Sequence, residues 1–199
     1  MEYISHLSRD KKLKLLIDAH GPLKLKKETN ICLYLCYSIM SQQLSTKVAK
    51  VFHQRFLELY KGKEPSAKQI AATKFETLRD IGLSNAKANY VLNVANFELS
   101  NGMDCKKLEV MSNEEVINYL VKIKGVGRWT VEMLMMFALG REDVFSPDDL
   151  GIQTAMINLY KINYSGKKEL ITKMVKRSEK WSPFKTFACL HLWRFKDVK

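Results

Sequence analysis

Apolar positions recur along the chain at steps of three and four residues, broken by capping residues and glycines, and strict two-residue alternation is scarce. That period belongs to amphipathic helices, not to half-buried strands. RDKKLKLLIDAHG places Leu13, Leu16 and Ile17 on one face and stops at Gly21. ETNICLYLCYSIMS is almost wholly apolar and reads as a central helix. STKVAKVFHQRFLELYKG has Ser45 as N-cap, a stripe through Val48, Val51, Phe52 and Leu59, and Gly62 past its end. PSAKQIAATKFETLRDIG opens on proline and closes on glycine, and SNAKANYVLNVANFELSNG opens on a cap and closes on Asn-Gly. SNEEVINYLVKI carries the Ser-x-x-Glu capping box at Ser112 and Glu115. TVEMLMMFALG, DLGIQTAMINLY, KKELITKMVKRSEKW and SPFKTFACLHLWRF complete an all-α reading of nine or ten helices with short connections.

Composition narrows the class. The 199 residues suffice for a real core without staples, and 46% hydrophobic with 27% charged residues describes a globular chain. Lysine and arginine number 33 against 21 acidic residues, a net +12 that points to a polyanionic partner. No apolar stretch approaches a membrane span, and MEYISHLSRDKKLKLL lacks the apolar core of a leader. An intracellular protein is expected, in the cytoplasm of a prokaryote or the nucleus of a eukaryote. Cys32 and Cys36 lie four apart on one helix face, Cys105 and Cys189 are isolated, and no C-x-x-C pair exists. Reduced thiols are therefore expected, with neither a zinc site nor an iron–sulfur cluster. His6, His20, His53 and His191 show no metal spacing.

Chemistry concentrates in IKGVGRWT, residues 123–130. Gly125 and Gly127 permit a tight turn and close backbone approach. The turn runs into a helix whose first amides lack internal partners and, with the positive helix end, attract phosphate oxygens. Lys122, Lys124 and Arg128 add positive charge. A plain turn between packed helices is the competing reading. Downstream, Pro147 cannot continue a helix, so Asp148 or Asp149 caps the one that follows, and the residues alone do not say which.

LVKIKGVGRWTVEMLMMFAL followed by DVFSPDDLGIQ resembles the helix-hairpin-helix DNA glycosylase superfamily. IMSQQLSTKVA, LRDIGLSNAKANYV and KWSPFKTFACLHLWRF are similar to its alkylated-base branch, 3-methyladenine DNA glycosylase II, in compact form. The resemblance covers residues 30 to 195. It implies a two-lobed helical fold with the active-site cleft between the lobes. One lobe would span about 30–140, with the helix-hairpin-helix at 114–139; the segment 1–29 and the helices of 149–199 would form the other.

The activity implied is monofunctional: a damaged base in double-stranded DNA is flipped out and hydrolysed, leaving an abasic site, with alkylated purines as substrates. Asp149, two residues after the proline, matches the catalytic carboxylate. A fixed carboxylate stabilises an oxocarbenium-like sugar and can activate water. Some relatives carry a nucleophilic lysine just after the hairpin; here that position is Trp129, which implies no lyase activity. Trp129 and Trp193 would line the base slot, with Met133 at a wall position that can be tyrosine in relatives, while Trp181 reads as core. Aromatic rings attract positively charged alkylated bases. Gln43 and Leu44 match the wedge that fills the gap left by a flipped base, although Leu44 could instead be a hydrophobic staple. The hairpin (Lys124, Gly125, Val126, Gly127, Arg128) and a second loop (Gly82, Ser84, Lys87) would hold phosphates. Backbone carbonyls of Val121, Ile123 and Val126 could hold a structural K+ or Na+; no other cofactor is implied, and a monomer is expected. A glycosylase for deaminated or other damaged bases, and a noncatalytic helix-hairpin-helix DNA-binding protein, are the alternatives.

Overall fold

Caps chosen by the sequence start most of the helices. The computed structural model describes residues 1–197, and no strand occurs among them. In chain order the helices are α1 (Glu2–Leu7), α2 (Lys11–His20), α3 (Ile31–Ser41), α4 (Thr46–Glu58), α5 (Ala67–Ala71), α6 (Phe75–Asp80), α7 (Asn85–Asn101), α8 (Cys105–Glu109), α9 (Asn113–Leu120), α10 (Arg128–Phe137), α11 (Leu150–Tyr160), α12 (Lys167–Ser178) and α13 (Lys185–Asp197). A 3-10 turn, Glu179–Trp181, follows α12. The side chains of Asp10, Asn30, Ser45, Ser66, Ser84, Asp104, Ser112 and Asp149 each accept a first-turn amide of the helix they open. Such a cap is worth about 1 kcal/mol over alanine.

The chain divides into two units. One comprises Lys27–Leu134. In it α3 packs on α4 and α7, and α5 and α6 also lie against α7. Leu35, Cys36, Ile39 and Met40 of α3 are fully buried, as are Phe56, Val91 and Val94 from its neighbours. The other unit comprises Met1–Lys26 with Met135–Lys199. There α13 packs on α11 and α2, and Tyr3 stacks on Phe187 with ring centroids 3.9 Å apart. Trp181 and Cys189 are buried in this unit, Cys32 and Cys36 are buried in the unit Lys27–Leu134, and these cysteines, in no disulfide, pack as small apolar side chains.

Several elements depart from the periodicity reading. The segment 65–82 is two helices, because the chain leaves helical geometry at Thr73 and restarts from Lys74. The short helices α1 and α8 carry too few residues for an apolar period to show. On α4 the buried face runs through Ala49 and Phe56, and Val48 and Val51 stay 42% and 44% exposed instead of joining the stripe.

Candidate active site

Asp149 is the N-cap of α11, and its position is fixed from several directions. Oδ1 accepts the Ile152 amide at 2.8 Å and the Trp193 indole N–H at 2.8 Å. Gly151 makes the second contact possible: a Cβ there would lie 2.9 Å from Cδ1 and 3.1 Å from Nε1 of Trp193, and 3.0 Å from Asp149 Oδ1. The indole can reach the carboxylate only because α11 presents bare backbone at that point. Trp193 also meets the Phe137 ring, centroids 5.7 Å apart. Asp148, the other capping candidate, is exposed and pairs with Lys167 at 2.9 Å.

The loop carrying Pro147 is pinned by residues at and near the start of α13. Thr186 Oγ1 donates to the Arg141 carbonyl at 2.6 Å and accepts the Val144 amide at 3.0 Å. Ser182 Oγ donates to Asp143 Oδ2 at 2.6 Å. Gln153 reaches back from α11 to the Pro147 carbonyl at 2.9 Å. The carboxylate therefore stands on a braced loop and a helix end, the kind of support a preorganised electrostatic group needs. Leu150, beside it, is 76% exposed.

In the unit Lys27–Leu134, the turn between α9 and α10 is anchored by buried Ile123 and Val126, while Lys122, Lys124, Gly127 and Arg128 face outward. The two glycines differ. Gly125 has φ +104°, and a Cβ on it would sit 2.2 Å from Cγ of Tyr90 on α7. Gly127 has ordinary φ, and a Cβ there would meet nothing within 4 Å. Nothing inside the protein requires glycine at 127. Trp129 and Met133 lie one helical turn apart on α10, the tryptophan 46% exposed and the methionine buried. Phe137 continues the same four-residue spacing to the end of the helix and is 38% exposed.

Two cations expected at phosphates are engaged within the chain. The Arg128 guanidinium forks onto Glu114 and also bonds Glu132 at 3.1 Å; this pairing holds the Glu114 carboxyl below its ordinary range. Lys87 donates to the carbonyls of Met40 at 2.9 Å and Gln42 at 2.8 Å, where burial pulls its pKa down. It thereby clamps the turn from α3 to α4. Within that turn Gln43 is exposed with φ +60°, an uncommon conformation for a residue with a side chain, and Leu44 is half-buried. Gly82, at φ +100°, lies against Phe52, and Ser84 accepts the Lys87 amide at 3.2 Å as N-cap of α7. Lys124 is exposed, and its carbonyl accepts from Asn93 at 3.2 Å.

The structure thus brings Asp149 and Trp193 together, and adds Gly151 and Phe137, which sequence reading had not nominated. The signal for Gly151 was a glycine inside a helical pattern, which commonly has a packing reason. For Phe137 it was the continuing i+4 spacing from Trp129. Trp129, Met133 and the hairpin belong to the other unit, as do Gln43, Leu44 and the Gly82 loop. No cluster of three or more metal-ligating side chains exists among the described residues, and no described helix is long and apolar enough to cross a membrane.

Comparison with known proteins gives the family. DNA-3-methyladenine glycosylase 1 of Schizosaccharomyces pombe is 35% identical over 188 residues, covering 92% of this chain and 80% of the relative. A solved structure of S. pombe 3-methyladenine DNA glycosylase in complex with abasic DNA superposes with TM-score 0.86 at 32% identity, over 100% of this chain and 98% of that one. A crystal structure of DNA-3-methyladenine glycosidase from Bacillus halodurans gives 0.87 at 33% identity, over 100% and 90%. The profile of the HhH-GPD superfamily of base excision DNA repair proteins matches residues 36–180, and the chain belongs to that superfamily.

Proposed function

We propose that the protein is a monofunctional DNA glycosylase that binds duplex DNA, flips out an alkylated purine and hydrolyses its N-glycosidic bond. The observation that carries this reading is the Asp149 carboxylate. It caps α11 and is held by the Trp193 indole against the bare backbone of Gly151, in a chain of a base excision repair superfamily. As the bond from C1′ to the base nitrogen breaks, its electron pair leaves with the base and positive charge develops on the sugar. The fixed carboxylate opposes that charge and takes a proton from the water whose oxygen bonds to C1′. The products are a free base and an abasic site. Trp129 follows the hairpin and offers no amine, so no Schiff base forms and the strand is not cut.

The hairpin would hold the backbone. Gly127 leaves open space at the start of α10, and the exposed Lys122 and Lys124 flank the turn. Oxygen donors suit a hard monovalent cation, and the carbonyls of Val121, Ile123 and Val126 would hold K+ or Na+ here. The Ile123 carbonyl already accepts the Val126 amide at 3.0 Å, so an ion would use its second lone pair. Such an ion would offset phosphate charge, and no bond is made or broken through it.

The test is base release from duplex DNA carrying 3-methyladenine or 7-methylguanine, with Asp149→Asn beside the wild type. Asparagine keeps the cap and removes the charge, and the expected loss is on the order of 10²-fold or more. Release at a near-wild-type rate by Asp149→Asn would overturn the assignment. Borohydride should trap no covalent adduct.

A further inference from the structure

Tyr160, the last residue of α11, lies about 16 Å along the helix from Asp149, at 1.5 Å per residue. Two adjoining concavities open there within the unit Met1–Lys26 and Met135–Lys199. One, about 530 Å³, is lined by Arg9, Lys11, Lys12, Arg177 and Lys180 around Tyr160 and Trp181. The other, about 440 Å³, shares Tyr160, Arg177 and Lys180 and adds Lys161, Lys173 and Lys176. A single carboxylate, Asp10, lines them. It is fully committed: Oδ1 caps α2, and Oδ2 accepts the Tyr160 hydroxyl at 2.9 Å and the Trp181 indole at 3.3 Å. Among the described residues, Arg9, Lys11, Lys161, Lys176, Arg177 and Lys180 have no ion-pair partner within 4.0 Å.

The centre of the patch is rigid. The Asp10 bond fixes the Tyr160 ring, and the Arg177 guanidinium lies over that ring at 4.1 Å. Stacking orders the guanidinium while leaving its N–H edges for an acceptor. An ordinary solvated basic face intersperses its cations with carboxylates. Here the positive charges surround Tyr160 and extend across two adjoining concavities, an arrangement that suits more than one phosphate better than a single small anion.

We propose that this patch is a second DNA-binding surface, which grips backbone phosphates at the end of α11 opposite Asp149. The proposal rests on the reading that the chain acts on DNA. Such contacts carry no sequence information; they add affinity and hold a flanking or second duplex segment. The test is the variant Lys11→Gln/Lys176→Gln/Lys180→Gln, at three exposed positions without ion pairs. Binding to an undamaged duplex of about 40 base pairs is followed by anisotropy across a salt series. Removing three phosphate contacts should weaken binding roughly tenfold and flatten the slope of log K against log salt by about 2 to 3. Melting temperature and single-turnover base release at saturating enzyme should not change. Lysine acetylation should show Lys11, Lys161, Lys176 and Lys180 protected by the duplex. Wild-type affinity and slope in the triple variant would overturn the proposal and leave the glycosylase reading intact. A wild-type chain that binds the duplex but releases no base would do the reverse.

Discussion

Replacing Gly151 with alanine tests whether the Trp193–Asp149 contact works in catalysis. The new Cβ would lie 2.9 Å from Trp193 Cδ1, 3.1 Å from Nε1 and 3.0 Å from Asp149 Oδ1. Carbon atoms at optimal contact are about 3.5–4.0 Å apart, so the indole must retreat by roughly 0.5 Å or more. The indole is a rigid bicycle with Phe137 beside it, so the displacement falls on the ring as a whole. A 2.8 Å bond lengthened by that amount passes beyond about 3.2 Å, the upper end of the normal range. A hydrogen bond to a charged group is worth about 1.5–3 kcal/mol. If the carboxylate needs that bond in the transition state, single-turnover base release falls by about 10- to 150-fold. Stability should move little, because alanine in a helix is favoured over glycine by up to about 1 kcal/mol and offsets part of the clash.

The assay is single-turnover release of an alkylated purine at saturating enzyme, with thermal melting on the same samples. Trp193→Phe removes the donor and keeps an aromatic ring, so it should show a similar loss. The double variant should then lose little more than either single one, since both remove the same bond. A Gly151→Ala enzyme that releases base at the wild-type rate would refute the reasoning. So would strictly additive losses, which would mean that the glycine and the indole act separately.

The two hairpin glycines should separate in behaviour. Gly125→Ala, at φ +104° and 2.2 Å from Tyr90, should lose about 2 kcal/mol or more in urea unfolding, whereas Gly127→Ala should unfold like the wild type and bind duplex DNA more weakly. Lys87→Met, which releases the Met40 and Gln42 carbonyls, should slow base release while leaving the salt slope of undamaged-DNA binding unchanged. A slope smaller by about 1 would instead mark Lys87 as a phosphate contact. Burial, with the nearby charges of His20 and Arg194, pulls His191 down to about 4 from 6.5. The unfolded chain therefore takes up the proton first, and the stability of the neutral buried ring, complete above pH 6.5, is lost as pH falls toward 4. The span is about 3 kcal/mol, and His191→Phe should flatten urea-unfolding stability across that window.

What could be read from the sequence was local. Ser45, Ser84 and Ser112 announce α4, α7 and α9 because capping is a matter of a few neighbouring atoms. The glycines of the hairpin and the proline before Asp149 are likewise local constraints. What could not be read was direction across the fold. Lys87 sits near a helix start, where a phosphate contact is a reasonable expectation, yet its ammonium turns to carbonyls 45 and 47 residues away in sequence. Arg128 has a legible partner one turn on in Glu132; its fork onto Glu114 depends on how α9 and α10 pair.

Asp149 shows why a structural reading and a functional one need not compete. The sequence alone leaves open whether Asp148 or Asp149 caps the helix after Pro147. In the structure the capping residue and the candidate catalytic residue are the same. Capping needs one acceptor oxygen at a defined place, and Oδ1 supplies it to Ile152 and to Trp193. On the proposed reading, transition-state stabilisation needs a negative charge that does not move, and the cap and the indole would hold it still. The helix end would then be the means of positioning the charge. It also makes asparagine the informative substitution: the amide oxygen can keep the Ile152 and Trp193 bonds, so a loss of turnover in Asp149→Asn reports the missing charge and not a frayed helix.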